Sequence, residues 1–309
     1  MNMEMLIRQR LLNTSKLTDM LPVFETADAN NIPAIFYQKA PEDVQWQGRE
    51  QYPKIVFTID KFDNAERGTM GVLTVELICS ETGASPEEVE PVIRETLEGV
   101  FFTPTEGETF SAKWRETSLI EEAVGDRQIL INGALMTFDV YEYPSIKTSD
   151  PDPIAALNLY ALKWNKQMVV IGESELPSFF SPTRDKPAIY FSRRNIKGDL
   201  QDNSAVWLEG VIMVHIFAPT LKDRLEWLAE FHHHILLDGE VTLLDGSHMF
   251  IKKTDHDYAA DEIRGQLRLD VSYGISRKPK YAHTMMESNM RESSNKAPRP
   301  WRQFEQRRL

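Results

Sequence analysis

Three consecutive histidines, His232, His233 and His234, and the segment Asp255, His256, Asp257 are the densest groupings of metal-ligating or proton-transferring side chains in the sequence. A zinc-binding helix needs two ligands three or four positions apart, so that both leave the same face. Consecutive helix residues point about 100° apart and cannot close on one ion. The segment around His256 reads as a solvated turn between strands. Carboxylate pairs at Glu87/Glu88 and Glu121/Glu122 fall at a helix start and on a polar loop, and glutamates in a first helical turn are accounted for by the helix dipole. The sequence contains no Gly-rich phosphate loop, no Gly-x-Ser-x-Gly elbow and no Walker-type lysine. Its single cysteine, Cys79, lies on an apolar strand pattern, which rules out an intrachain disulfide and points to a reducing compartment. These readings predict no catalytic residue, no metal and no cofactor, and leave binding as the function. A metal-assisted hydrolase using the histidine-rich second half is the competing class.

The elements that would position a binding surface occur twice. Gly71 to Lys113 aligns without gaps on Gly210 to Lys252, with eight identities: Gly71/Gly210, Val72/Val211, Val75/Val214, Glu87/Glu226, Leu97/Leu236, Thr103/Thr242, Gly107/Gly246 and Lys113/Lys252. Average composition gives about two or three by chance. The apolar pattern agrees as well, Val72, Leu73, Val75, Leu77, Ile78 matching Val211, Ile212, Val214, Ile216, Phe217, each run preceding a helix-period segment. With gaps the match extends upstream, Pro53, Ile55, Phe57 on Pro187, Ile189, Phe191. Downstream, Gly133, Leu135, Asp139, Val140 fall on Gly265, Leu267, Asp270, Val271. His232 then lies opposite apolar Ile93, which predicts a packed imidazole. The expected fold is α+β: two tandem copies of a helix-covered, mostly antiparallel sheet module, followed by an extended C-terminal arm.

Length and composition fit that plan. The 309 residues suffice for two ordinary domains, and 41% hydrophobic with 27% charged residues describes a globular chain. No apolar run is long enough to span a bilayer, and the charged N-terminal segment does not read as a signal peptide. The net charge of −12 is uneven: residues 277–309 carry nine Lys or Arg against three Glu, leaving −18 on residues 1–276. An acidic body repels phosphates and disfavours adhesion to nucleic acid.

In the first module, residues 1–147, an amphipathic helix is expected over Leu6 to Leu21, then a strand at Ile32 to Tyr37 and a polar loop containing Trp46. Strands at Lys54 to Phe62 and Gly71 to Cys79 follow, joined by a protruding polar hairpin that carries Asp63, Glu66 and Arg67. Ser85, Pro86, Glu87, Glu88 reads as N-cap, first-turn proline and capping-box glutamate. Strands at Thr109 to Glu116 and Gln128 to Tyr141 close a sheet of four or five strands. Thr148 to Pro153, with two Asp-Pro steps, is a stiff linker. The second module, 154–276, repeats the plan: helix Ile154 to Trp164 capped by Asp152, strands near Met168 to Ile171, Ala188 to Ser192 and Val206 to Phe217, helix Leu221 to Leu237, and strands near Val241, Met249 to Lys253 and Gly265 to Tyr273. Residues 277–309 form a basic arm in which Arg299, Trp301, Arg302, Phe304, Arg307 and Arg308 combine cations with aromatics, a composition enriched at interfaces.

In its order of elements the first module resembles the tail terminator, or tail completion, proteins of long-tailed bacteriophages. The resemblance is carried by the N-terminal helix, PAIFYQ, YPKIVF, the hairpin to GVLTVELIC, the helix SPEEVEPVIRETLEG and two closing strands. It implies a virion protein, assembled in the bacterial host cytoplasm, forming a ring that caps the tail tube and ends its polymerisation. That ring offers a surface to the head connector. It further implies self-association as a hexamer, with a trimer of pseudo-sixfold symmetry as the other arrangement. Contacts with the tail tube protein, the connector and, in a contractile tail, the sheath would follow, with DNA only passing through the lumen and no membrane. Trp46, Asp63, Glu66, Arg67 and the six arm residues are the expected partner-binding positions. A head-side connector or another neck protein is the alternative within the structural class.

Overall fold

The computed structural model describes residues 2–25, 31–64, 69–81, 83–124, 129–145, 150–201, 205–257, 261 and 263–276; the side chains of 63, 64, 121–124, 129, 130 and 199–201 are not described. In the first half, helices α1 (Met3–Leu12) and α2 (Ser15–Thr18) lead to strands β1 (Val23–Glu25), β2 (Asn31–Pro33), β3 (Ile35–Tyr37), β4 (Lys54–Asn64) and β5 (Thr69–Ser80). Helix α3 (Pro86–Leu97) and strands β6 (Phe101–Phe102), β7 (Thr109–Val124) and β8 (Ile129–Tyr143) complete that half. The second half runs α4 (Pro153–Trp164), β9 (Val169–Val170), β10 (Phe179–Phe180), β11 (Ala188–Gln201), β12 (Ala205–Phe217), α5 (Leu221–Asp238), β13 (Glu240–Thr242), β14 (His248–His256) and β15 (Leu267–Ser276).

Helix starts follow their caps. Ser85 and Glu88 form the reciprocal capping box of α3 with Pro86 in its first turn, and the Asp152 carboxylate accepts from Ile154 N and Ala155 N at the start of α4. Helix α5 ends at Gly239, φ 67°, a backbone form glycine adopts without a Cβ penalty. The single helix expected over Leu6 to Leu21 is instead broken after Leu12. Thr14 Oγ1 donates back to Arg10 O at 3.1 Å, and Thr14 takes the extended form of an N-cap, so local side-chain bonding competes with helix continuation. The strand expected over Ile32 to Tyr37 divides at Ala34, whose N–H turns to Pro22 O. Only its second half joins the large sheet.

Strand order makes the duplication explicit. The first sheet runs β6-β7-β8-β5-β4-β3 and the second β13-β14-β15-β12-β11-β9, with β3 and β9 the parallel members. The two orders superimpose element for element. Strands β7 and β14 begin at Thr109 and His248, and the preceding turns place Gly107 and Gly246 at positive φ, all at the constant offset of the ungapped alignment. Gly71 pairs with Val140 as Gly210 pairs with Val271. The register corrects one expected match: Val75 faces Met136 and Val214 faces Leu267, so Leu267 corresponds to Met136 and not Leu135. Leu135 points away from the core, and a one-residue slip would turn the whole strand inside out.

Along β5, Leu73, Val75, Leu77 and Cys79 are buried beneath α1 and α3, while the intervening residues face the other way. Burial pushes the Cys79 thiol up to about 12, which keeps it protonated. A parallel core under α4 and α5 gathers Ile189, Phe191, Val214, Ile216, Leu228 and Phe231. The strands outrun the expected limits because β7 and β8 stay paired from Thr109 with Tyr143 to Val124 with Ile129, the last two pairs forming a two-stranded ribbon beyond the β5 ladder, which ends at Ser80 with Ile131. At the opposite end the β4–β5 hairpin overhangs by one register pair, Asn64 with Thr69.

Candidate functional site

Two Phe-Phe dipeptides build the joint between the sheets. Phe179 and Phe180 of β10 pair antiparallel with Phe102 and Phe101 of β6, so a strand from the second half extends the first sheet. Thr103 N donates to Ser178 O at 3.1 Å and continues the ladder by one bond. Phe179 packs on the first core against Phe102, ring centroids 5.9 Å apart. Phe101 is enclosed by Tyr143 at 5.3 Å, Phe217 at 4.9 Å and Phe180 at 6.3 Å, within a cluster that includes Val169, Ile171, Ala188 and Tyr190. Tyr190 Oη donates to Pro144 O at 3.0 Å. Burial, reinforced by the Glu108 carboxylate, raises that phenol to about 12, so it remains a donor at neutral pH. Lys113 Nζ meets Asp261 Oδ2 at 3.4 Å across the same joint. Beside it lies a cleft of about 360 Å³ whose lining mixes Glu95, Glu98, Lys113 and Arg224 with Phe101 and Phe217. The division drawn at residues 148–153 thus assigns β10 to the second module while its hydrogen bonds belong to the first sheet. A two-residue strand has no periodicity to detect; the repeated Phe-Phe dipeptide was the available signal.

At the corresponding edge of the second sheet, Glu240 and Val241 replace Phe101 and Phe102, and β13 has no further strand beside it among the described residues. Leu236, 51% exposed, is the repeat of Leu97, which is fully buried. The first module packs both α1 and α2 against α3, and the short segment between α4 and β9 holds no counterpart of α2. Leu237 at 73% and Leu244 at 60% extend the apolar surface. A groove of about 550 Å³ runs between α4 and β13, where Tyr160 Oη donates to Asp238 Oδ2 at 2.8 Å.

Of the expected partner-binding residues, Trp46 is placed inside the chain. It ends a 3-10 turn, Asp43–Trp46, and is 3% exposed, with its indole against Phe24 at 4.9 Å and Phe36 at 6.1 Å. Its ring therefore covers the face formed by Ala34 and Phe36, and Val44 is the apolar residue the turn presents to solvent. Trp46 Nε1 is buried without a hydrogen-bond partner among the described residues. Trp46→Phe removes that orphan donor together with some ring volume. The two effects oppose each other, so chemical denaturation should show a change of about 1 kcal/mol or less. Asp63 lies on β4 with its side chain outside the described residues, as are Glu66, Arg67, Arg299, Trp301, Arg302, Phe304, Arg307 and Arg308.

The histidines separate as their spacing predicts, with one addition. His256 closes strand β14 instead of lying in a loop, and its ring sits 4.9 Å from that of His232. His232 Nε2 bonds Thr254 Oγ1 at 2.8 Å, half-buried on the strand face instead of entering the core as Ile93 does. His234 turns toward Asp238 at 3.8 Å. Among the described residues no three His, Cys, Asp or Glu side chains converge as metal ligands. Burial, then the nearby His256 and His233, lowers the His232 pKa. A depressed imidazole contributes stability that is complete above its unfolded value, about 6.5, and lost as pH falls through the folded one. His232→Gln, which keeps a bond to Thr254 within reach, should lose less melting temperature than the parent on moving from about pH 7.5 to about pH 5. An unchanged slope would show that His232 is not the titrating group.

Compared with protein-family models and with curated proteins, the chain matches none.

Proposed function

We propose that this chain is a structural virion protein. It forms a homo-oligomeric ring, of six chains or of three chains with six pseudo-equivalent modules, that caps a phage tail tube, ends its polymerisation and joins the tail to the head connector. The observation that carries the reading is the first sheet itself: helix, short parallel strand, hairpin, capped helix and two long closing strands, in the order that the tail terminator resemblance implies. Its duplication supplies each chain with two similar edges. Rings form from heterologous contacts, in which one surface meets a different one on the next subunit and the rotation closes. The joint between β6 and β10 is a contact of that kind, already made within one chain. The body charge of −18 on residues 1–276 suits a lumen through which DNA passes without sticking. The projecting ribbon β7–β8 supplies a contact surface for the tube ring or the connector.

Disrupting the coding sequence in the phage that carries it tests the reading. The expected result is filled heads and separate tails of unregulated length. Joined particles with tails of normal length would contradict it.

A further inference from the structure

The joint inside the chain has a second half that is unused. Counting back nine residues from Ile55 and from Ile189, which hold the same place in their sheets, reaches Trp46 and Phe180. The equivalence is physical as well: Phe180 lies over the face of Val169 and Ile171, and Trp46 over the matching face of Ala34 and Phe36. Gln45 then corresponds to Phe179 and Val44 to Ser178, the residues that reach the β6 edge within the chain. Val44 is 87% exposed. On the receiving side, the β13 edge, Leu236 and Leu237 stand where β6 and Leu97 are covered in the first module.

We propose that the edge of β13, with the apolar surface beside it, receives the Glu42–Gln47 segment of a second copy of this chain, as β6 receives β10 within the chain. The proposal specifies the joint of the ring proposed above and rests on that reading for its occupant. Applied between chains, the register within the chain sets Val44 of one copy opposite Thr242 of the next, since Ser178 bonds Thr103 and Thr103 repeats as Thr242. Two residues must open from the 3-10 turn into extended backbone, the length of β10. That turn is held by the Glu42–Gln45 capping box and leaves Gln47 at φ 51°, a left-handed form unfavourable for a residue with a Cβ. Opening it releases the strain. Because chains then meet as modules meet, a closed ring shows twice as many similar lobes as it has chains.

The test mixes two full-length variants, Val44→Cys and Thr242→Cys, both at exposed positions, under mild oxidation, with Val44→Cys plus Leu119→Cys as the control. Particle mass is read on the same samples. Residues held opposite each other react at a raised effective concentration, so the cross-linked pair is expected at about tenfold or more over the control. The chain carrying both substitutions should give a ladder. Rings without a preferred Val44–Thr242 cross-link would overturn this joint and leave the ring standing. The cross-link in open oligomers would support the joint and count against closure, and monomers without the cross-link would overturn both.

Discussion

Phe101→Ala is expected to destabilise the protein by about 3–5 kcal/mol, the range for removing a fully packed phenylalanine. The ring is 2% exposed and touches one aromatic of its own half, Tyr143, and two of the other, Phe180 and Phe217. Its loss leaves a cavity that the paired backbones of β6 and β10 cannot collapse to fill. The consequence should reach beyond stability. Because the same residue anchors both sheets to one another, denaturant melts followed by far-UV and tryptophan signals should cease to coincide, the halves unfolding as separate units. Phe217→Ala should cost a similar amount, and the double variant less than the sum, since the two rings share one cavity. Leu119→Ala, at an exposed position on β7, should change stability by no more than about 0.5 kcal/mol. Equal small effects at Phe101 and Leu119 would mean that the two sheets are not joined there.

Gly71→Ala should cost about 3 kcal/mol, at the upper end of overpacking changes. A Cβ at that position would lie 2.6 Å from Asp60 O and 3.4 Å from Lys61 Cα. Both are backbone atoms of the paired strand β4, fixed by its ladder with β5, so neither can rotate aside. Its repeat, Gly210, would place a Cβ 3.3 Å from Asn195 O and 3.4 Å from the Ile196 side chain. A few tenths of an ångström suffice there, and Gly210→Ala should cost less than half as much. Urea midpoints with unchanged slopes would measure the difference. Equal costs would show that the shared glycine answers to something other than approach of the neighbouring strand.

The long elements were legible because their period and their caps agree. Ser85 to Glu88 specifies the start of α3 without reference to anything distant, and the alternation from Gly71 to Cys79 reads directly as a strand buried on one face. The duplication was legible for the same reason, as two runs of period two followed by two of helical period. What the sequence obscured depends on partners far along the chain. Trp46 is surrounded by Glu42, Asp43, Gln45 and Gln47 and reads as an exposed aromatic; its cover, Phe24 and Phe36, lies ten and more residues upstream. Strand β10 consists of two residues that pair with a strand 78 positions away, so no local pattern could reveal it. The length of β7 was hidden by Glu116, Thr117 and Ser118, polar residues that interrupt apolar alternation although they pair with Thr137, Met136 and Leu135 inside the sheet, where the Thr117 hydroxyl bonds Trp114 and Glu90. Within the candidate site, the specific joint became visible only once strand order placed β6 and β13 in the same role.

The central claim is that the chain closes into a ring, and the mass of the purified full-length protein in solution, followed by class averages of stained particles, tests it most directly. The expected result is a discrete closed ring whose mass corresponds to six chains or to three, with twice as many similar lobes around its circumference as it has chains. A chain that remains a monomer at every accessible concentration, with no ring in any class average, would contradict it.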